Sequence, residues 1–157
     1  YMATYNADNY SKTPFNNPYG NLSVAHASIA DLSAINSDNG AANGDQLNLA
    51  YLPAGAKVLH GFVYTGTAAA ATSTIMIGVK YADGTSTGGS TGSATLVAGT
   101  GIAITATQAK TNLLFVPFTN DADTVVYASW VSPGAPTGGA GNQTLDVVIE
   151  YESTGTK

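Results

Sequence analysis

Hydrophobic and polar positions along the chain fall into short alternating runs broken by turn residues. Gln46, Leu47, Asn48, Leu49, Ala50, Tyr51 and Leu52 alternate polar and apolar, the period of a half-buried strand. Pro53, Ala54, Gly55 and Ala56 break the pattern. Pro53 presets φ for the first corner of a turn, and Gly55 accepts positive φ at the second. Residues 57–64 form a second apolar strand, so 46–64 reads as a hairpin. In 73–82, Ile75, Ile77 and Val79 fall on one face, with Thr74, Met76, Gly78 and Lys80 on the other. In 143–152, Leu145, Val147, Ile149 and Tyr151 point in, while Asp146, Val148, Glu150 and Glu152 point out.

Weaker segments fill the rest. In 22–35, Leu22, Val24 and Ala27 fit a strand, whereas Ile29, Leu32 and Ile35 fit a turn or two of helix; a strand over 22–30 is the favoured reading. Residues 94–98 and 101–107 are candidate short strands, and 108–112 is polar and reads as a connection. The run Asn112, Leu113, Leu114, Phe115, Val116, Pro117, Phe118 is the most apolar; Pro117 cannot donate to a ladder, so it marks a strand end or edge. Residues 124–131 form a strand with Val125, Tyr127 and Ser129 on one face and Val126, Ala128 and Trp130 on the other. Residues 36–43, Asp83-Gly84, 88–92, 120–123 and 132–142 are turns or loops by composition. About seven to nine strands, turn signals roughly every ten residues and no long helix predict an all-β, antiparallel β-sandwich or jelly-roll body.

Residues 1–21 stand apart. They lack a period of two or 3.6, yet Tyr1, Tyr5, Tyr10, Phe15 and Tyr19 recur every four or five residues. A solvated tail has little use for so many aromatics. The segment packs across its own domain, or is an extended N-terminal arm that reaches a partner subunit, or is a disordered tail. The division adopted is an arm at 1–21 and a β-sandwich domain at 22–157.

Composition narrows the functions. Ten acidic residues against five lysines, with no arginine, give a net charge of −5. Phosphate contacts need clustered Lys and Arg, so nucleic acid is excluded as a partner, and so is an anionic membrane surface. No run approaches the ~18 apolar residues of a membrane span. Residues 1–20 contain neither the basic region nor the apolar core of a signal peptide. Cysteine is absent. Only 10% of residues are charged, against about 25% in an average domain, so much of this weakly charged surface is expected to be covered by neighbouring subunits.

No catalytic motif survives inspection. His26 and His60 are the only histidines, too few for a zinc site without cysteine. No G-x-S-x-G elbow is present. Asp146, Glu150 and Glu152 have the spacing of glycosidase carboxylates, but an outward acidic stripe is ordinarily a solvated face. Asp121 and Asp123 are a weak calcium signal that turn chemistry explains equally well. Trp130, Tyr127, Tyr64 and Tyr81 are candidates for a sugar-stacking platform, with Trp130 more at home in a core. No cofactor, metal or enzyme activity is expected.

Residues 44–66, with the strand that ends at Lys80, resemble a recurrent pattern of bacteriophage head decoration (cement) proteins: Gly-Asp, an alternating strand, Leu-Pro-Ala-Gly-Ala-Lys-Val-Leu, a second strand. The resemblance implies a non-enzymatic structural protein on the outer surface of a phage capsid. It would bridge and stabilise major capsid protein subunits, and associate with copies of itself as a dimer or trimer. Residues 1–21 would be its arm, with Tyr5, Tyr10, Phe15 and Tyr19 as the contacts to the capsid or a neighbouring subunit. The alternative is a carbohydrate-binding β-sandwich module of a tail fibre or lectin-like protein.

Overall fold

Among the described residues, ten strands form in the places where the alternation is clearest and in two where it is absent. The computed structural model describes residues 4–7, 10, 22–30, 46–66, 73–85, 96, 102–104, 109–132 and 144–153. In chain order they are β1 (Thr4–Asn6), β2 (Leu22–Ile29), β3 (Gln46–Leu52), β4 (Ala56–Thr65), β5 (Ser73–Tyr81), β6 (Ile102–Ile104), β7 (Ala109–Asn112), β8 (Phe118–Thr119), β9 (Thr124–Ser132) and β10 (Leu145–Ser153). The first sheet has the order β1-β3-β9-β5-β6 and the second β2-β10-β4-β7, with β8 also on β4. Every pairing is antiparallel except β1 on β3, which is parallel. The fold is an all-β sandwich.

The core lies between the sheets. Leu47, Leu49, Leu52, Ile75, Ile77 and Ala128 come from the first, and Val58, Val63, Leu145, Val147, Ile149 and Tyr151 from the second. Each large side chain fully withdrawn from water contributes about 1.5–3 kcal/mol. Strand β10 shows the expected alternation, buried at every odd position from Leu145 to Ser153. Burial of Tyr151 raises its phenol above the usual range.

The expected hairpin is present, with one change at each level. The turn closes by Ala56 N–H donating to Pro53 C=O at 3.2 Å. Its corners are therefore Ala54 and Gly55, not Pro53 and Gly55, and Gly55 has φ +78°. Within β3, a bulge between Asn48 and Ala50 shifts the register against β9. Leu49 and Ala50 are consecutive buried residues, after which Tyr51 faces out and Leu52 faces in. Strict alternation would have exposed Leu52. The extra residue resets the phase.

Two segments depart from expectation. Residues 109–112, read as a connection, are strand β7, paired from Phe62↔Asn112 to Thr65↔Ala109. The apolar run after it is not a strand: Leu113 N–H makes a last bond to Gly61 C=O of β4 at 2.8 Å, and 114–117 leaves that ladder, with Leu113 buried and Leu114 and Val116 at 65% and 81% exposure. Pro117 sits just before β8, at a strand end as expected. Within residues 1–21, Thr4–Asn6 is strand β1 on the edge of the first sheet. Phe15, Tyr19, the loops at 36–43 and 88–92, and all of 132–142 except Ser132 lie outside the described residues.

Candidate functional site

Strand β10 sets the outer face of the second sheet. Its outward residues are Asp146, Val148, Glu150 and Glu152, and antiparallel pairing on both sides fixes their neighbours. Asp146 stands between Ser28 and Tyr64, Val148 between His26 and Phe62, and Glu150 between Val24 and His60. Two histidine–carboxylate pairs result. His26 Nε2 lies 3.0 Å from Asp146 Oδ1, and His60 Nε2 lies 3.0 Å from Glu150 Oε2. Both imidazoles are well exposed, so each pair contributes about 1 kcal/mol at most. The acidic stripe anticipated as a solvated face is thus partly engaged by histidine.

The face ends in an open groove of about 370 Å³ where β4 finishes and β7 and β10 begin. Register brings three of its residues into one row, Asp146 beside Tyr64 and Tyr64 beside Lys110. An acid, an aromatic ring and a base therefore stand side by side across three strands. Tyr64 is 42% exposed. Phe62 meets its ring edge to face, with centroids 5.4 Å apart. Lys110 Nζ lies 4.3 Å from the Phe62 centroid and 5.7 Å from that of Tyr64. Gly66 closes one wall: its N–H donates to Thr144 C=O at 2.8 Å, and a Cβ there would collide with Thr144 Oγ1.

The outer face of the first sheet is built differently. Lys80 crosses the ring of Tyr127, 5.2 Å from its centroid, and donates from Nζ to Gln46 Oε1 at 2.9 Å. Partial burial lowers the Lys80 pKa. Asn48 Nδ2 donates to Asn6 Oδ1 at 3.0 Å, tying β1 to β3 side chain to side chain. Ala7 N–H extends the contact by donating to Asn48 C=O at 2.8 Å.

Asp121 and Asp123, the weak calcium candidates, hold turns together. Asp123 Oδ1 accepts Ala54 N–H at 2.9 Å, and Asp121 Oδ2 accepts Tyr81 O–H at 3.2 Å. A hydrogen bond to Asp123, helped by burial and by the carboxylate's charge, pushes the Tyr51 phenol up to about 12. At the neighbouring turn, Thr85 N–H and O–H both donate to Asp83 Oδ1, which lowers the Asp83 pKa. No group of three or more His, Asp or Glu side chains gathers to hold a metal among the described residues.

Of the arm aromatics expected to contact partners, Tyr5 and Tyr10 are half-buried against this chain's own core. The four-residue sugar platform does not assemble as anticipated. Tyr127 and Tyr81 belong to the first sheet, Tyr127 under Lys80 and Tyr81 bonded to Asp121, while Tyr64 is on the second. Trp130 pairs with Ile75 through the backbone, and its side chain lies outside what is described. Lys110 was missed altogether, because a lysine in a polar stretch carries no signal of the strand it joins.

No family model matches the chain, and no curated protein does. Solved structures do. A chain of the capsid of Ralstonia phage GP4 superposes with a TM-score of 0.65 at 18% identity, over 99% of this chain and 100% of that one. A chain of the cyanophage Pam1 capsid asymmetric unit gives 0.49 at 24% identity, over 89% and 90%. A chain of the acidic stable capsid of Helicobacter pylori bacteriophage KHP30 gives 0.49 at 16%, over 88% and 92%. The resemblance to phage head proteins read at residues 44–66 thus extends, at the level of fold and over almost the whole chain, to a chain of the Ralstonia phage GP4 capsid.

Proposed function

We propose that this protein is a non-enzymatic structural component of a phage virion that decorates the outer surface of the capsid and bridges major capsid protein subunits. The observation that carries the reading is the end-to-end fold likeness to a chain of a phage capsid. The low charge, with few groups to keep copies apart, supports it. The mechanism is linkage: a protein that binds only the assembled, expanded shell stabilises it by mass action. Many symmetric copies multiply a modest contact through effective concentration.

The reading assigns the contact to residues 1–21, through Tyr5, Tyr10, Phe15 and Tyr19. Strand β1 anchors the start of this segment at the edge of the first sheet. The same edge faces the shell or a neighbouring copy, and the open face of the second sheet is turned away from it. The test is co-sedimentation with expanded, undecorated capsids of the encoding phage, followed by heating of the pellet. Saturable binding and a raised disruption temperature are expected. A variant lacking residues 1–20 is expected to lose binding. Phe15→Ala with Tyr19→Ala, which leaves β1 and its two tyrosines in place, is expected to weaken it. Full binding by both variants sinks the arm, and no binding by the intact protein sinks the decoration reading.

A further inference from the structure

We propose that the groove at the end of the second sheet binds a neutral sugar residue of a glycan, with Tyr64 as the stacking platform. The proposal does not depend on the capsid reading. Its first support is shape. A groove of about 370 Å³ lies within the roughly 300–1,000 Å³ range of small-molecule sites.

The second support is the ring. Tyr64 is exposed enough to be covered, yet its orientation is fixed by Phe62 edge to face and by the Lys110 ammonium beyond it. A platform already held in place loses little freedom when a ligand settles on it. The apolar C–H face of a pyranose offers such a ring the contact it lacks in water.

The third support is the polar inventory. Among the described residues, the Lys110 ammonium makes ring contacts but no hydrogen bond, and the Tyr64 hydroxyl makes none. Asp146 uses Oδ1 for His26 and keeps its other oxygen free. Three donors on the ammonium, a hydroxyl that both donates and accepts, and a carboxylate oxygen that accepts suit the alternating roles of sugar hydroxyls. The His26 contact holds the carboxylate in place.

Charge selects the class. Lys110 and Asp146 flank Tyr64 from opposite sides in the same cross-strand row, so their charges cancel over the groove. An anionic ligand meets Asp146 and a cationic one meets Lys110. A neutral polyhydroxylated ligand meets both as hydrogen-bond partners.

The test is a chemical-shift titration of the intact protein with galactose, glucose, mannose and N-acetylglucosamine in turn. At least one is expected to give saturable shifts confined to the backbone amides near Tyr64, Lys110 and Asp146. Tyr64→Ala, at an exposed position, is expected to keep the dispersed spectrum and weaken binding by about tenfold or more. Tyr64→Phe keeps the ring and is expected to cost only a few-fold. Absence of saturable shifts with all four sugars overturns the proposal, as do shifts that persist unchanged in Tyr64→Ala. Co-sedimentation of Tyr64→Ala with capsids is expected to match that of the unaltered protein, which separates failure here from failure of the decoration reading.

Discussion

The two sheets turn different chemistry outward. On the first, polar groups find one another: Lys80 reaches Gln46 over Tyr127, Asn48 reaches Asn6, and Tyr51 is bonded to Asp123. On the second, Leu22, Val24 and Tyr64 stand 56%, 54% and 42% exposed, and among the described residues the Lys110 ammonium meets aromatic rings. Both sheets bury large apolar side chains on their inner faces. The contrast is confined to the outside and is one of surface type: the second face also pairs His26 with Asp146 and His60 with Glu150, but it leaves more apolar and aromatic surface in water.

The largest expected effect tests whether the openness of the second sheet stops at its surface. A Cβ on Gly61 would fall 2.7 Å from Val148 C=O, 2.8 Å from Ile149 Cδ1 and 3.0 Å from Leu113 Cδ1. The carbonyl belongs to the neighbouring strand and cannot step aside. Gly61→Ala should cost about 2–3 kcal/mol in chemical denaturation. A cost under about 0.5 kcal/mol would mean that the second sheet is loosely packed throughout.

Next in size is Gln46→Leu. It removes the oxygen that Lys80 donates to and leaves a partly buried ammonium without it. The expected loss is about 1–2 kcal/mol. An unchanged denaturation midpoint would remove the claim that the first sheet's face depends on its internal pairing.

A smaller effect is expected at high pH. Tyr51 ionises near its ordinary 10.0 when unfolded and at about 12 when folded, chiefly because it donates to Asp123. The folded state keeps the proton that the unfolded state releases. The contribution is therefore complete below pH 10 and is lost as pH rises through 12. Solvent screening at this partly exposed site holds it to about 1 kcal/mol or less. Thermal melts across that window should show Tyr51→Phe losing less stability than the unaltered protein; parallel losses would show that the hydrogen bond is energetically silent.

Least of all should change with Glu150→Leu on the second sheet. It frees His60 in water, and a shift within about 0.5 kcal/mol is expected. If this substitution costs as much as Gln46→Leu, the contrast between the two faces fails.

The readable parts of the fold share one property, a burial pattern fixed by a single strand's own residues. Strand β10 shows it best: Leu145, Val147, Ile149 and Tyr151 alternate with Asp146, Val148, Glu150 and Glu152 because one face is core and the other is turned outward. Where a second strand sets the outcome, the sequence misleads. The bulge in β3 depends on β9, and only there does it become clear that Tyr51 and not Leu52 faces out. Strand β7 is polar because it borrows its ladder from β4, so Ala109, Lys110, Thr111 and Asn112 carry no period. The apolar 113–117 run misleads in the other direction: Leu113 is buried and Phe115 packs partly buried against the core, but Leu114 and Val116 face water. The groove fails for the same reason as β7. Tyr64 and Asp146 each attracted notice, in different roles, but their adjacency and the arrival of Lys110 are facts of cross-strand register.

The position of β10 also governs when the molecule can come into being. Among the described residues it is the last strand, yet it lies inside the second sheet with β2 on one side and β4 on the other. Its pairing with β2 joins Leu145 to Ile29 and Glu152 to Leu22, segments far apart along the chain. While β10 is still in the ribosome, β2 and β4 face each other across a missing strand. Such non-local pairing slows folding. A chain without β10 would lack the middle of a sheet, so truncation there would open the fold and not merely trim its edge.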